Sequence, residues 1–421
     1  LATLFKIGFN MSLFTSSHFA SASASGADWR EAAKSVLEKL EGIKTEGAGF
    51  NLGFIYITDA MSDDAEGILN LFKSVLGIEH WVGANGIGVV GCGESFIDKP
   101  AISAMIGRFD EDAFCVFPPT QFEGDTAREA LSGWLNDNDP MLVVSHGDPT
   151  AEEDPAVVLK TLNRILPGFM VGGLSSSRSQ QVQFADNIGN DGISGVAFSD
   201  SVQVITALSQ GCSPIGDIHT ITRCDEHTIL ELDDEKPVTV FERDLRQMAL
   251  QKIGKDPDNV IVDQYDIEGI EDMPEDFQSL MKGEMHVAFP VSDSDQNDYL
   301  VRNIMGIDQD EGSIMVAQYL SNGERVMFVH RDDETVQEDL SKTLVRLRKR
   351  ATDESGHFEP KGAIYFSCAG RAMAEFEGRA QSEMALVRDI IGDVPLCGFY
   401  AGGEISNARL YGYTGVLTLF L

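Results

Sequence analysis

Ile364-Tyr365-Phe366-Ser367-Cys368 reads as a buried strand, and Ala369-Gly370-Arg371 stands at its end. A helical stretch follows. Pro395-Leu396-Cys397-Gly398-Phe399-Tyr400-Ala401-Gly402-Gly403-Glu404 then turns a corner, and Tyr413-Thr414-Gly415-Val416-Leu417-Thr418-Leu419 supplies a last apolar run. Short apolar runs bounded by glycine read as strands, and longer segments with apolar residues three and four apart read as helices. The same order occurs twice more. The middle copy runs from Leu142-Val143-Val144-Ser145-His146-Gly147-Asp148 through a helix to Gly168-Phe169-Met170-Val171-Gly172-Gly173 and then 193–198. The first copy uses 54–59, a helix, Trp81-Val82-Gly83-Ala84-Asn85-Gly86 and 101–106. From the hydroxyl at the first strand's end to an anchoring glycine the spacing is 25 (58 to 83), 27 (145 to 172) and 35 (367 to 402). Gly-Phe-x-x-Gly-Gly recurs at two of the corners. A supersecondary unit used three times accounts for this better than chance.

The fold class expected is α/β, more narrowly α+β. Two domains carry mixed, largely antiparallel sheets flanked by helices, built from repeated β-α-β-β units and stacked in layers. A chain of 421 residues has ample core for this. Against 32 Lys and Arg stand 67 Asp and Glu, a formal net charge of −35. That field repels phosphate backbones and anionic membranes, so nucleic acid is not an expected partner. Six cysteines, at 92, 115, 212, 224, 368 and 397, form no Cys-x-x-Cys pair. They read as free thiols of a reducing compartment, and the chain is expected to be cytoplasmic. No run reaches transmembrane length. Polar residues from Asn10 to His18 interrupt any signal-peptide centre, and Met11 reads as a possible start.

Asp28 is expected to cap a helix whose face holds Trp29, Ala33, Val36, Leu37 and Leu40. Residues 175–183 read as a flexible polar tip, and 214–235 as exposed strands. A composition shift follows residue 235. A helix is expected over 241–253, an acidic insert over 256–283, then antiparallel strands near 285–290, 299–304, 313–319 and 324–329. Ser321-Asn322-Gly323 reads as the turn of a hairpin, since Asn-Gly tolerates positive φ. The run 339–350 is a helix with basic residues at its end. The strand closing at Leu419 is expected inside a sheet.

No strong catalytic motif is present, so no catalytic residue and no metal ligand is assigned. Gly86-x-Gly88-x-x-Gly91 matches a dinucleotide fingerprint only formally, because no helix opens after it. Cys224 and His227 have ligand spacing but no second pair. His146 and His330 each end an apolar run, where a haem ligand could project. The strongest signal lies in the third copy. Ser367, Cys368 and Arg371 stand at a strand end, Gly402, Gly403 and Glu404 at a glycine corner, and Thr414 in the last strand. Strand ends of such units converge where ligands bind, and glycine lets backbone approach closely. Arg371 would hold a carboxylate and Glu404 an amine, or the two pair with each other. Arg302 alternates with Leu300 and Ile304 on a strand, facing either a partner or solvent. Cys368 is either an apolar filler or an activated thiol.

At these residues the sequence resembles the FIST family, sensory domains named for F-box and intracellular signal transduction proteins. Val301-Arg302-Asn303-Ile304, Phe366-Ser367-Cys368-Ala369-Gly370-Arg371, 395–405 and Thr414-Gly415-Val416-Leu417 resemble the C-terminal module. Residues 168–173 and 191–198 resemble the N-terminal one. Family members often carry Asn before the last Thr, where Tyr413 stands here. The resemblance implies a flexible extension over 1–27, a FIST N-terminal domain over 28–235 and a FIST C-terminal domain over 236–421. It implies a cytoplasmic sensor, not an enzyme, that binds a small molecule such as an amino acid. The ligand site would comprise Arg302, Ser367, Cys368, Arg371, Gly402, Gly403, Glu404 and Thr414. Output would pass to a signalling protein in trans, with no membrane insertion and no cofactor. A haem-based gas sensor, using His146 or His330, and a thiol-dependent enzyme using Cys368 are the alternatives.

Overall fold

The computed structural model describes residues 13–16, 18–44, 49–121, 123–252, 284–291, 298–378 and 380–421. The acidic insert expected over 256–283 and the start expected at Met11 lie outside the described residues. The chain divides into two compact units, residues 1–209 with 340–421, and residues 210–339. The expected boundary after residue 235 falls inside the second unit, between the strand Thr228–Leu232 and the helix Pro237–Lys252.

The larger unit holds the three copies, and each builds the middle of its own sheet. In every copy the first strand runs parallel to the second and antiparallel to the last. Leu52–Thr58 pairs with His80–Gly86 and Ala101–Gly107. Pro140–Gly147 pairs with Phe169–Leu174 and Ile193–Ser199. Gly362–Cys368 pairs with Leu396–Ala401 and Gly415–Phe420. An extra strand flanks each last strand: Phe19–Ser25, Phe114–Thr120 and Val204–Ser209. The strand Gly415–Phe420 is therefore internal to its sheet.

The hairpin after each glycine corner does not stay in its own sheet. The first copy's hairpin, Gly88–Gly91 with Glu94–Ile97, extends the third copy's sheet. The second copy's, Gln183–Ala185 with Asn187–Gly189, extends the first. The third copy's, Glu404–Ser406 with Arg409–Tyr411, extends the second. The exchange is cyclic, so no copy completes its sheet alone. It also removes the dinucleotide reading of Gly86 to Gly91, where one strand ends at Gly86 and the next runs Gly88–Gly91.

One face of each sheet turns to a shared core containing Phe54, Tyr56, Val144, Val171, Phe366, Phe399 and Val416. The opposite faces carry helices. Trp29–Lys44 and Ala65–Leu76 cover the first sheet, Asp125–Leu131 and Pro155–Ile165 the second, and Ala369–Phe376, Glu383–Ile391 and part of Asp333–Ser355 the third. The side chain of Asp28 caps the first of these, accepting from Arg30 N and Glu31 N. Part of the supposed N-terminal extension is structural. Phe19–Ser25 forms a seven-residue strand because its Ala-Ser alternation suits two tight faces. Ala20 and Ala22 face helices, while Ser23 Oγ donates to Gly91 O across the core.

Register also corrects the alignment of the copies. The residues opposite each other on the two parallel strands are Ile55 and Gly83, Ser145 and Gly172, Tyr365 and Gly398. A Cβ on Gly83, Gly172 or Gly398 would sit 1.7, 1.8 or 1.8 Å from the carbonyl oxygen of that partner. The third anchor is Gly398, not Gly402, so the two Gly-Phe-x-x-Gly-Gly segments are equivalent only after a shift of four residues (168 to 172). The repeat is real, and the motif that signals it is out of phase.

The second unit closes into a six-stranded barrel of Ser213–Asp225, Thr228–Leu232, Ser313–Val316, Tyr299–Asp308, Glu284–Pro290 and Arg325–Arg331. Ile215, Ile229, Val287, Ile314 and Phe328 fill it, with Val240 of helix Pro237–Lys252 packed against them. The Asn322-Gly323 turn is not a hairpin. The strands it joins pair with other neighbours, and Asn322 Oδ1 accepts from Cys224 N at 3.0 Å.

Candidate functional site

Equivalence by register brings three residues together in the shared core. Tyr56, His146 and Phe366 each follow the anchored residue of their first strand. Their rings meet at centroid separations of 5.5 to 6.0 Å. The Tyr56 hydroxyl and His146 Nε2 lie 3.1 Å apart, while Nδ1 has no hydrogen-bond partner. Burial pushes the His146 imidazole down to about 3, so it is neutral. Phe399 stacks on Tyr56 at 5.2 Å and closes the cluster. The His146 ring is fully buried among these aromatics. His330, in the barrel, lies 3.5 Å from Asp332. Among the described residues no group of three or more His, Cys, Asp or Glu could hold a metal ion.

The third copy's strand end builds a second polar layer. The strand stops at Cys368, whose Sγ caps the helix Ala369–Phe376 by accepting from Gly370 N at 3.4 Å. Arg371 lies in the first turn of that helix and turns inward, with a side chain 1% exposed. Its guanidinium donates to Glu383 Oε1 at 3.0 Å, to Tyr413 O at 3.1 Å and to Ser209 O at 3.1 Å. Burial is the largest influence and opposes its charge, but Glu383 together with Tyr365 and Cys368 outweighs it, so the guanidinium stays charged. The other Glu383 oxygen accepts from Ser367 Oγ at 2.6 Å. Gly415 leaves the room, since a Cβ there would meet the Tyr365 hydroxyl at 2.6 Å and Arg371 at 3.0 Å. Arg371 thus fastens three chain segments to one another.

Glu404 stands on the exchanged hairpin, opposite Gly173 of the second copy's sheet. One oxygen, Oε2, accepts from Thr414 N at 2.9 Å and Thr414 Oγ1 at 2.7 Å. The other, Oε1, is buried with no hydrogen-bond partner. Burial pushes the carboxyl up to about 7, against the Thr414 hydrogen bonds and the charge of Arg371. Arg371 and Glu404 are therefore not hydrogen-bonded to each other; each has its own partners. The double glycine serves the exchange, since Gly402 N donates to Leu174 O and Gly403 O accepts from Leu174 N.

The structure thus places Ser367, Cys368, Arg371, Gly402, Gly403, Glu404 and Thr414 around one strand end and corner. Arg302 belongs to the other unit, where its guanidinium donates to Val301 O at 2.8 Å. Sequence reasoning missed Glu383, Ser209 and Tyr413, because an exposed-looking helix start, the last residue of a strand and a loop residue give no local sign of a buried guanidinium. It also missed Gln183, the hairpin residue of the second copy that corresponds to Glu404. The flexible tip expected over 175–183 hid it, yet Gln183 is fully buried.

The FIST N domain matches residues 51–235 and the FIST C domain residues 268–407. An uncharacterized protein of Mycobacterium tuberculosis is 29% identical over 274 residues, 63% of this chain and 64% of that one. An uncharacterized protein of Mycobacterium bovis is 29% identical over 268 residues, 62% of each. The matches thus cover less than two thirds of these relatives' length. A solved structure, PurLQS from Thermotoga maritima, is 9% identical over 98% of this chain and 74% of that one, with a TM-score of 0.22, too low to carry an argument. No helix of the described residues is long and apolar enough to cross a membrane. With both domains matched in order along the chain, the protein belongs to the FIST family, whose domains are associated with sensory signal transduction.

Proposed function

We propose that this chain is a cytoplasmic sensor that binds a small molecule carrying an amine, such as an amino acid, at the strand end of the third copy. One observation supports the reading above the others: a buried carboxyl, Glu404, keeps an oxygen with no hydrogen-bond partner. A buried acceptor left unfilled costs about 1–3 kcal/mol, which an ammonium donor recovers. A bound ammonium would also hold Glu404 ionised, pulling its carboxyl down from about 7. Arg371 is already saturated by Glu383, so a ligand carboxylate reaches it only by competing with that partner. Such competition would loosen Tyr413 and Ser209, which Arg371 holds, and offers a route from ligand to altered structure. A separate protein would read that change. Arg302 is not part of this proposed site.

Calorimetry with the amino acids at pH 8 tests the reading. Arg371→Ala is a poor probe, because it strands Glu383. Glu404→Gln keeps the shape and removes the charge, and amine ligands are expected to bind it at least about tenfold more weakly. Equal affinity for both proteins, or no binding to the wild type, would sink the assignment.

A further inference from the structure

The last strands of the three copies run antiparallel to the first strands, so their ends gather at the opposite end of the unit from Glu404. There the chain forms a cleft of about 440 Å³, lined by residues at or just beyond the end of each last strand: 108–110, 201–203 and 420–421. Its apolar wall is aromatic. Phe109 packs edge-on against Phe19 at 5.5 Å and Phe420 at 6.1 Å, and Phe19 lies 5.0 Å from Phe420.

The polar side reverses the sign of the molecule. In a chain with 67 acidic against 32 basic residues, the side chains of Arg108 and Lys361 line this cleft against one side-chain carboxylate, Asp110. Arg108 N donates to His18 O at 2.9 Å. Among the described residues its guanidinium makes no hydrogen bond or ion pair, and a Cβ on Gly49 would lie 3.8 Å from its stem. Lys361 Nζ donates to Leu421 O at 2.7 Å and keeps two further N–H groups. His18 lines the same cleft. Burial, then the charges of Lys361 and Arg108, push its imidazole down, so both cations act on the same space.

We propose that this cleft is a second binding site, for a small organic anion with a flat apolar body, such as an aromatic carboxylate. Phe109, half-buried against Phe19 and Phe420, takes the ring by stacking or edge contact. The Arg108 guanidinium takes the carboxylate through two parallel hydrogen bonds, and the Lys361 ammonium adds a point charge. The volume falls in the range of small-molecule pockets. The proposal is independent of the Glu404 site, which prefers a cation.

Ligand-observed NMR and calorimetry on the full chain, with benzoate and its neutral isostere benzamide as probes, test it. Benzoate is expected to bind, benzamide at least about tenfold more weakly, and Arg108→Gln to lose about tenfold for benzoate. Arg108 is exposed and unpaired, so the variant should fold as the wild type does. Glu404→Gln is expected to leave benzoate binding unchanged, which separates this site from the proposed amine site. A wild-type protein that ignores millimolar benzoate, binds benzamide equally, or is indifferent to Arg108→Gln overturns the proposal.

Discussion

Two corners of this molecule occupy the same place in the repeat and carry nearly the same side chain. Gln183 pairs opposite Ala84, and Glu404 opposite Gly173, each one residue past its sheet's anchoring glycine. Each reaches back to its own copy's last strand. The Gln183 amide is complete: its oxygen accepts from Ser194 N at 3.0 Å and Ser194 Oγ at 2.5 Å, and its nitrogen donates to Gly192 O at 3.0 Å. Glu404 accepts the same kind of pair from Thr414 but has no N–H to give, and one oxygen is stranded. The first copy has Val89 there and needs neither. The repeat tolerates an apolar residue, an amide or an acid at one position. Only the acid leaves a vacancy, so the difference marks the third copy as the chemically unfinished one.

The comparison rests on the copies being equivalent, and the anchoring glycines are where it breaks hardest. Gly398→Ala and Gly172→Ala each drive a Cβ to within 1.8 Å of a partner-strand carbonyl. Both are expected to lose more than about 4 kcal/mol or fail to fold, as judged by urea unfolding. Gly402→Ala meets Ser175 O at a less severe 2.8 Å and should be milder. Equal losses at Gly398 and Gly402 would return the repeat to the phase read from the motif.

Much of this architecture was legible, and its limits have physical causes. Apolar runs and glycines revealed three units, because each first strand must be buried on both faces and each second strand must approach it closely. The phase was lost because Gly-Phe-x-x-Gly-Gly records two demands at once. In the second copy its later glycines meet the parallel partner strand, and in the third its first glycine does. The cyclic exchange was invisible, since Glu404 pairs with Gly173 across more than two hundred residues of sequence. Arg371 and Glu404 were legible as charges at strand ends. Their partners were not, since Glu383, Ser209 and Tyr413 come together only by packing.

The next largest effect is expected at Arg371, which has no counterpart in the other copies. At the positions equivalent by register stand Met61 and Ala151. Arg371→Met leaves Glu383, 5% exposed, without its cation, and should cost about 3–5 kcal/mol. Arg371→Met with Glu383→Met should recover most of that loss in urea unfolding. A double variant as unstable as the single would mean that Tyr413 and Ser209, not the ion pair, carry the cost.

Glu404→Gln turns the unfinished corner into the finished one. The folded chain keeps the Glu404 proton up to about pH 7, while the free carboxyl loses it near 4.5. Folding then takes up a proton between those values, so stability falls as pH rises through the window, by roughly 3 kcal/mol in total. His146 acts in the opposite sense. It is neutral when folded down to about 3 but titrates near 6.5 when unfolded, so stability falls as pH drops from 6.5 toward 3. Between 4.5 and 6.5 the two contributions oppose each other. Glu404→Gln should gain roughly 3 kcal/mol over wild type at pH 8, much less at pH 5, and expose the His146 slope. An unchanged pH profile would break the comparison at its centre.

The reciprocal substitution, Gln183→Glu, sharpens it with a smaller effect. The carboxylate keeps both Ser194 donors but gives up the bond to Gly192 O, placing an acceptor against an acceptor. At pH 8 that should cost about 1–3 kcal/mol. At pH 5 a protonated carboxyl can donate to Gly192 O as the amide did, so most of the loss should vanish. The variant would then acquire the downward slope with rising pH that wild type owes to Glu404. Combining both substitutions should move that slope from the third copy to the second. A cost at residue 183 that ignores pH would show that geometry, and not the missing proton, separates the two corners.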